Sequence, residues 1–340
     1  MTGAPQRPRL TRVERRRLRR RRQRRRLGGL VLTLALVVGV AVLVVQSGGG
    51  SGGAKAGHGP DGQTLINGPA TAGIGTLPLA VKLNTTNDPV HVVFHKPPTS
   101  GLLFDLDTGE VLWRRDPTRV LAIASLTKMM TAIVVVGREP RGAKVRVTKE
   151  ALAYQGSAVG ILPRGKRIKL ETMLNGLLLP SGNDAAIALA QRVSGTVRRF
   201  VRAMNVRAHT YNLSCTHFSS PDGFVDAGNH SCAVDLAALA RAVLDRPRLA
   251  RIVRRRSVVL PFPVKGGRIS LFNNNPLLKT GYPGTIGVKT GLTNASGHCL
   301  VGAAERNGRR LGVILLHSPN IGDQGRKLLD AGFALTAAER

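Results

Sequence analysis

Residues 102–113 read LLFDLDTGEVLW, two short apolar runs, LLFDL and EVLW, on either side of Asp107-Thr108-Gly109. Asp and Gly tolerate the backbone that a tight reversal needs, so the stretch predicts a hairpin. The fold therefore leads with two strands. Strand-like runs return only near the far end, at 286–289, 299–303 and 311–316, and an amphipathic stretch over 325–337 predicts a closing helix. Between the two groups the pattern is helical from Ser125 to about residue 136. It is helical again over most of 170–250, with breaks at 180–182, 194–195 and 219–228. Strands at both ends enclosing a helical middle imply an α/β (α+β) chain. Its antiparallel sheet is assembled from remote segments and packed by helices, with a helical subdomain alongside. Residues 90–94 are a further strand candidate that Pro97 and Pro98 would end, and the ordered domain is expected to begin near residue 80. No internal repeat is present.

Composition narrows the function classes. Lys and Arg outnumber Asp and Glu by 51 to 19, but residues 1–26 alone hold thirteen Arg and one acid, Glu14. Removing that segment's +12 from the net +32 leaves +20 on the other 314 residues. Such a surplus attracts polyanions or carboxylate-bearing substrates through its long-range field and says nothing about fold. An aromatic share of 4% argues against a base-stacking platform, so no nucleic-acid partner is expected. Three cysteines are too few for a disulfide framework and lack metal-ligand spacing; no metal and no cofactor are expected.

Residues 27–45, LGGLVLTLALVVGVAVLVV, carry no charge. As a helix the run would span about 28 Å, close to the ~30 Å of a bilayer's hydrocarbon core. The Arg block before it would stay on the cytoplasmic side. The expected organisation is a basic cytoplasmic tail (1–26), a membrane anchor or signal segment (27–46), a flexible Gly/Ser-rich extracytoplasmic linker (47–79) and a domain over 80–340 outside the cell membrane. A cleaved signal remains the alternative, which would leave the domain secreted. The nearest Ala-x-Ala site is Ala54–Ala56, beyond a polar stretch.

Three motifs carry chemistry. Ser125-Leu126-Thr127-Lys128 heads an apolar helix, so its serine and lysine lie about one turn apart on one face. A serine hydroxyl needs a neighbouring base to become a nucleophile, and a lysine can serve once burial and nearby cations push it toward the neutral amine. Ser181-Gly182-Asn183 sits between Pro180 and a helical run, where plain helix capping is the competing reading. Lys289-Thr290-Gly291 is expected to close a strand, its glycine admitting a substrate backbone and its Lys and Thr side chains binding a carboxylate.

Each motif alone is weak; their conjunction and order are not. Ser-x-x-Lys, Ser-x-Asn and Lys-Thr-Gly in that sequence resemble the low-molecular-mass penicillin-binding proteins, the serine-type D-alanyl-D-alanine carboxypeptidases. The resemblance covers roughly residues 99–340. It extends to LLFDLDTGEVLW, ASLTKMMTA (124–132), LLLPSGNDAA (177–186), HFSSPDGF (217–224) and the stretch from Gly287 to Leu316.

It implies a β-lactamase/transpeptidase-like fold and hydrolysis of the terminal D-Ala from peptidoglycan stem peptides, with β-lactams acylating the same serine. Ser125 would be the acylated nucleophile, Lys128 its base and Ser181 a proton relay to the leaving amine. Asn183 would orient the substrate amide, while Lys289 and Thr290, next to Gly291, would bind the terminal carboxylate. The N–H groups of Ser125 and Leu292 would form the oxyanion hole. Two departures stand out: His298 takes a place where an aromatic residue is expected, and no further C-terminal β-domain is expected. A β-lactamase or transpeptidase on the same scaffold, or an idle wall-binding protein, are the alternatives.

Some residues imitate chemistry. Glu171 to Asn175 resembles the element carrying the deacylation base of class A β-lactamases, but it precedes Ser181 instead of following it, and reads as a helix lining the subdomain. His209, His217, His230 and His298 show no ligand pattern. Cys215 and Cys232 flank one loop, and export would permit a disulfide there; two free buried thiols are the alternative. Cys299 lies in an apolar run and is expected to be a buried strand residue.

Overall fold

The computed structural model describes residues 79–83, 88–224 and 227–335. The chain divides into two units, Met1–Ala72 and Gly73–Arg340, and every described residue belongs to the second. The Arg block, the apolar run at 27–45 and nearly all of the linker lie outside the described residues. Among those described, no helix is long and apolar enough to cross a membrane.

The strands are β1 (Ser100–Asp105), β2 (Val111–Arg115), β3 (Leu121–Ala122), β4 (Lys144–Arg146), β5 (Arg167–Lys169), β6 (His230–Ser231), β7 (Ser257–Pro261), β8 (Arg268–Phe272), β9 (Thr285–Thr293), β10 (Gly297–Arg306) and β11 (Arg309–Ser318). The helices are α1 (Lys128–Val136), α2 (Lys149–Leu152), α3 (Leu170–Leu178), α4 (Asn183–Ser194), α5 (Val197–Thr210), α6 (Ala233–Leu244), α7 (Pro247–Val253), α8 (Pro276–Lys279) and α9 (Ile321–Ala334).

Five strands form one antiparallel sheet in the order β2-β1-β11-β10-β9, so the leading hairpin is completed by three strands from the end of the chain. β1 and the middle of β11, LGVILL, are buried along their length because both faces of the sheet are covered. One face packs on the helical region through Leu102, Phe104, Val301 and Ile314. The other packs on α9 through Leu103, Leu300, Val313 and Leu328. α1, KMMTAIVVV, has eight of nine residues buried and runs through the helical region, as an all-round apolar helix must.

Three local expectations need correction. Residues 90–94 are not a strand: Val90 is buried and its N–H donates to the Leu112 carbonyl at 2.9 Å, but Val93 is 97% exposed. The closing helix begins at Ile321, ahead of residue 325, because the Asn320 side chain caps it by accepting from the Asp323 N–H at 3.0 Å. Ser257–Pro261 and Arg268–Phe272 pair as a hairpin that the reading above did not place. Its alternation sends Ile269 and Leu271 inward, and Gly266 and Gly267 make the reversal.

Candidate active site

The site grows from a tight turn. Ala124–Thr127 is a 3₁₀ turn feeding directly into α1, and three residues per turn bring Ser125 and Lys128 onto one side. Ala124 has φ +47°, a left-handed conformation that costs an alanine energy and has to be held by its surroundings. Two close approaches hold it. A Cβ on Gly291 would sit 2.9 Å from the Ile123 carbonyl and 3.3 Å from the Ser125 nitrogen, and a Cβ on Gly223 would collide with the Ala124 carbonyl. Gly291 thus makes room for the chain's own turn at Ala124–Thr127.

Lys128 is fully buried, and its Nζ donates to Ser125 Oγ at 2.7 Å, Asn183 Oδ1 at 2.6 Å and the Asp222 carbonyl at 2.7 Å. Desolvation lowers its pKa to about 7, against the opposing pull of the Asp222 and Asp184 carboxylates. Near neutral pH the neutral amine is therefore well populated, and it can accept the proton of the neighbouring serine hydroxyl.

The second motif meets the third rather than capping a helix. Gly182 is the residue before α4 and no side chain caps that helix, which corrects the capping reading. Ser181, at φ +69°, instead accepts from Lys289 Nζ at 3.0 Å. Lys289 is 1% exposed and also donates to the Thr290 carbonyl at 2.8 Å. Burial first, and the Lys128 charge second, hold its pKa well below that of a free lysine. The strand carrying it continues past Gly291 to Thr293, so the motif sits inside β9 and not at its end. β9 is an outer strand of the sheet, with Thr290 half-buried and Leu292 60% exposed.

Several participants were missed from the sequence. The Asp222 carbonyl reaches Lys128 from the loop of HFSSPDGF, which Thr131 on α1 steadies by donating to the Pro221 carbonyl at 2.6 Å. Asn183 is held at both ends, since its Nδ2 donates to the Gln155 carbonyl while its Oδ1 accepts from Lys128. Asp184, 1% exposed, accepts from Val159 N at 2.9 Å and Ala185 N at 2.8 Å, fastening the loop before β5 to the start of α4. Burial outweighs those hydrogen bonds and raises its pKa. Asp222 and Gln155 contribute backbone atoms, which leave no mark in residue type; Asp184, beside Asn183, was the readable signal.

Other residues fall outside this cluster. Glu171 lies on α3 and pairs with Arg248 at 2.6 Å. His298 is exposed on β10 opposite Leu292, and His217 stacks on His230 with ring centroids 5.7 Å apart. Cys215 and Cys232 are joined, their Cα atoms 5.6 Å apart, closing the base of the loop that carries Asp222. With Asp235 they form a metal-capable group among the described residues, but the bonded sulfurs offer no thiolate. Cys299 is buried on β10 and not disulfide-bonded, as expected.

Against known proteins, the family model for D-alanyl-D-alanine carboxypeptidases, peptidase family S11, matches residues 95–320. The chain belongs to that family. It is 36% identical over 247 residues to the D-alanyl-D-alanine carboxypeptidase DacB2 of Mycobacterium tuberculosis, covering 70% of this chain and 83% of that one. It is 32% identical to DacF of Bacillus subtilis, covering 69% of this chain and 62% of the relative, so the chain spans less than two thirds of that protein's length. The crystal structure of the Streptomyces K15 DD-transpeptidase superposes with a TM-score of 0.68 at 30% identity, covering 72% of this chain and all of that one. The M. tuberculosis D-alanyl-D-alanine carboxypeptidase structure also gives 0.68, at 34% identity, covering 73% and 95%. The family's fold is the expected α+β arrangement of an antiparallel sheet packed by helices.

Proposed function

We propose that this chain is a serine D-alanyl-D-alanine carboxypeptidase that removes the terminal D-Ala from peptidoglycan stem peptides, and that β-lactams acylate its Ser125. The observation that carries the reading is the fully buried Lys128 amine 2.7 Å from the Ser125 hydroxyl. In the reaction Ser125 Oγ attacks the carbonyl carbon of the penultimate D-Ala while Lys128 takes the hydroxyl proton. Negative charge on the carbonyl oxygen is met by the N–H groups of Ser125 and Leu292. The C–N bond then breaks, and the leaving nitrogen receives a proton through Ser181. Asn183 orients the substrate amide, and Lys289 with Thr290 holds the terminal carboxylate, where β9 has room for an added extended chain. Water finally hydrolyses the Ser125 ester, releasing the shortened stem and restoring the hydroxyl.

Transfer of the acyl group to an amine is a second reading, favoured by the likeness to a DD-transpeptidase over that protein's whole length. Incubating the protein with a D-Ala-D-Ala peptide, with and without an added amine acceptor, separates the two by product mass. Labelling with fluorescent penicillin followed by peptide mapping tests both, since each requires the label on Ser125. We further propose that residues 27–45 anchor the domain on the outer side of the cell membrane, on the strength of the uncharged run behind the Arg block.

A further inference from the structure

The positive surplus of the domain has a focus. β4 and β5 pair with Lys144 opposite Lys169 and Arg146 opposite Arg167. Strand alternation turns Val145 and Ile168 into the core and puts all four cations on the exposed face. Like charges directly opposite one another destabilise a strand pair, and here two such pairs stand side by side. Arg141, Arg164 and Lys166, all exposed, extend the same surface. Among the described residues none of these seven cations makes an ion pair. The acids closest in sequence are otherwise engaged: Glu139 pairs with Arg192 at 3.1 Å and Glu171 with Arg248 at 2.6 Å. Glu150 is exposed at the start of α2 and makes no ion pair with any of the seven. An arrangement that opposes folding, with no ion-paired acid among the described residues to offset it, is one that an external anion would relieve.

We infer that this face docks a linear polyanion with phosphodiester groups in its repeat. Arg presents a planar donor fork suited to phosphate and Lys a compact charge, and both occur here in alternation. The cations line a shallow groove of about 250 Å³, with Lys144, Arg146 and Arg167 on the hairpin side and Arg192 from the end of α4 opposite. A groove suits a chain better than a flat bilayer surface, and β4 and β5 expose no apolar side chain there to insert among lipids. Neither strand carries an aromatic ring on which nucleic-acid bases would stack. Asn183 opens α4 and the groove lies at that helix's other end, about 18 Å away for twelve residues, so polymer and stem peptide would bind together. Holding the enzyme along an anionic polymer would concentrate it near that polymer without altering its chemistry.

The test uses the full-length protein and long-chain inorganic polyphosphate, with lysine acetylation read by mass spectrometry. The first 26 residues contain Arg but no Lys, so polymer bound there leaves no acetylation mark of its own. Lys144, Lys166 and Lys169 are expected to be protected about five-fold at low salt, the protection fading as salt rises, while Lys265, Lys279 and Lys327 label as before. In the variant Lys144→Gln, Arg146→Gln, Arg167→Gln, Lys169→Gln, the remaining Lys166 should lose its protection. Removing the same charge at Arg198, Arg202, Arg251 and Arg254, which are exposed on α5 and around the end of α7, should leave it intact. D-Ala release from a small peptide should be unchanged in both variants, which keeps failure of this proposal distinct from failure of the peptidase reading. Equal protection of all lysines, or protection that survives in the hairpin variant, would overturn the proposal. So would stronger protection by phosphatidylglycerol vesicles or by a single-stranded oligonucleotide at equal phosphate.

Discussion

The Lys289 amine lies 3.0 Å from the hydroxyl of Ser181, a residue 108 positions earlier in the chain. A second lysine–serine pair, Lys128 with Ser125, is formed three positions apart. Both amines are fully buried, and the Lys128 charge further lowers the pKa of Lys289. The two pairs therefore share one electrostatic problem: two cations are difficult to keep charged side by side out of water. The arrangement favours at least one neutral amine, which is the form a base requires.

The roles proposed for Ser125 and Lys128 can be separated by substitution. Ser125→Ala should abolish covalent penicillin labelling and D-Ala release with the melting temperature nearly unchanged. Lys128→Arg should slow acylation by about 10²- to 10⁴-fold, because a guanidinium keeps its proton at ordinary pH. Labelling that persists in Ser125→Ala, mapped by peptide mass, would place the nucleophile elsewhere.

The rate of penicillin acylation should follow the neutral fraction of Lys128, rising about ten-fold per pH unit below pH 7 and levelling above it, around a pKa of about 7. Stability carries the same signature. The folded pKa is depressed below the unfolded value of 10.5, so between pH 7 and that value the unfolded chain binds more protons and stability rises with pH. Below pH 7 the cost of burying the charge is fully present. Denaturant titrations at several pH values should give a positive slope across that window, and Lys128→Met should reduce it, leaving the share that the likewise depressed Lys289 contributes. A slope that is the same in wild type and variant would remove Lys128 as its source.

These electrostatics show where sequence reading succeeds and where it stops. Ser125, Lys128, Ser181 and Lys289, which the structure brings into two hydrogen-bonded pairs, were legible because serine and lysine recur there in a fixed order. The sheet strands from the two ends of the chain were legible as well, since LLF in β1 and LGVILL in β11 are apolar runs. The acceptors on Asp222 and Gln155 are carbonyl groups, which every residue possesses, so their selection depends on tertiary placement alone. Ser181 looked like a cap because a capping serine and one that meets a buried lysine use the same hydroxyl; the arrival of Lys289 from β9 distinguishes them. The β7–β8 hairpin was readable in principle, from alternation around Gly266-Gly267, whereas Val90 is buried without belonging to any strand.

The loop carrying Asp222 is closed at its base by Cys215 and Cys232, separated by 17 positions. Non-reducing peptide mapping of protein exported by its host should find these two linked and Cys299 in no disulfide. Replacing both with Ser should cost about 3 kcal/mol, as expected for a loop of this length. It should also slow acylation, because the carbonyl that helps hold Lys128 would be less firmly placed. Free thiols at both positions would reject the bridge.

Intact-mass analysis of protein taken from membranes should find residues 27–45 still attached. The uncharged run is long enough to span, and the nearest Ala-x-Ala site is separated from it by a polar stretch. A mature N-terminus near Gly57 would instead give a secreted enzyme.

The fate of the acyl-enzyme separates a carboxypeptidase from a β-lactamase. A lactamase needs a carboxylate that activates water beside the ester, and the residue whose surroundings resemble such a base, Glu171, is paired with Arg248 at 2.6 Å on α3. Glu171→Gln should therefore leave the lifetime of the penicilloyl adduct unchanged. A β-lactam keeps its leaving nitrogen tethered after the ring opens, whereas a D-Ala-D-Ala peptide loses its terminal residue and vacates space for water. The adduct should persist while the peptide turns over. Lys289→Ala should weaken both ligands by about 1.5 to 3 kcal/mol, the worth of a hydrogen bond to a charged group. Stopped-flow acylation followed by mass spectrometry of the trapped adduct decides the matter. A penicilloyl ester that hydrolyses within milliseconds, with no D-Ala released from the peptide, would make this protein a lactamase.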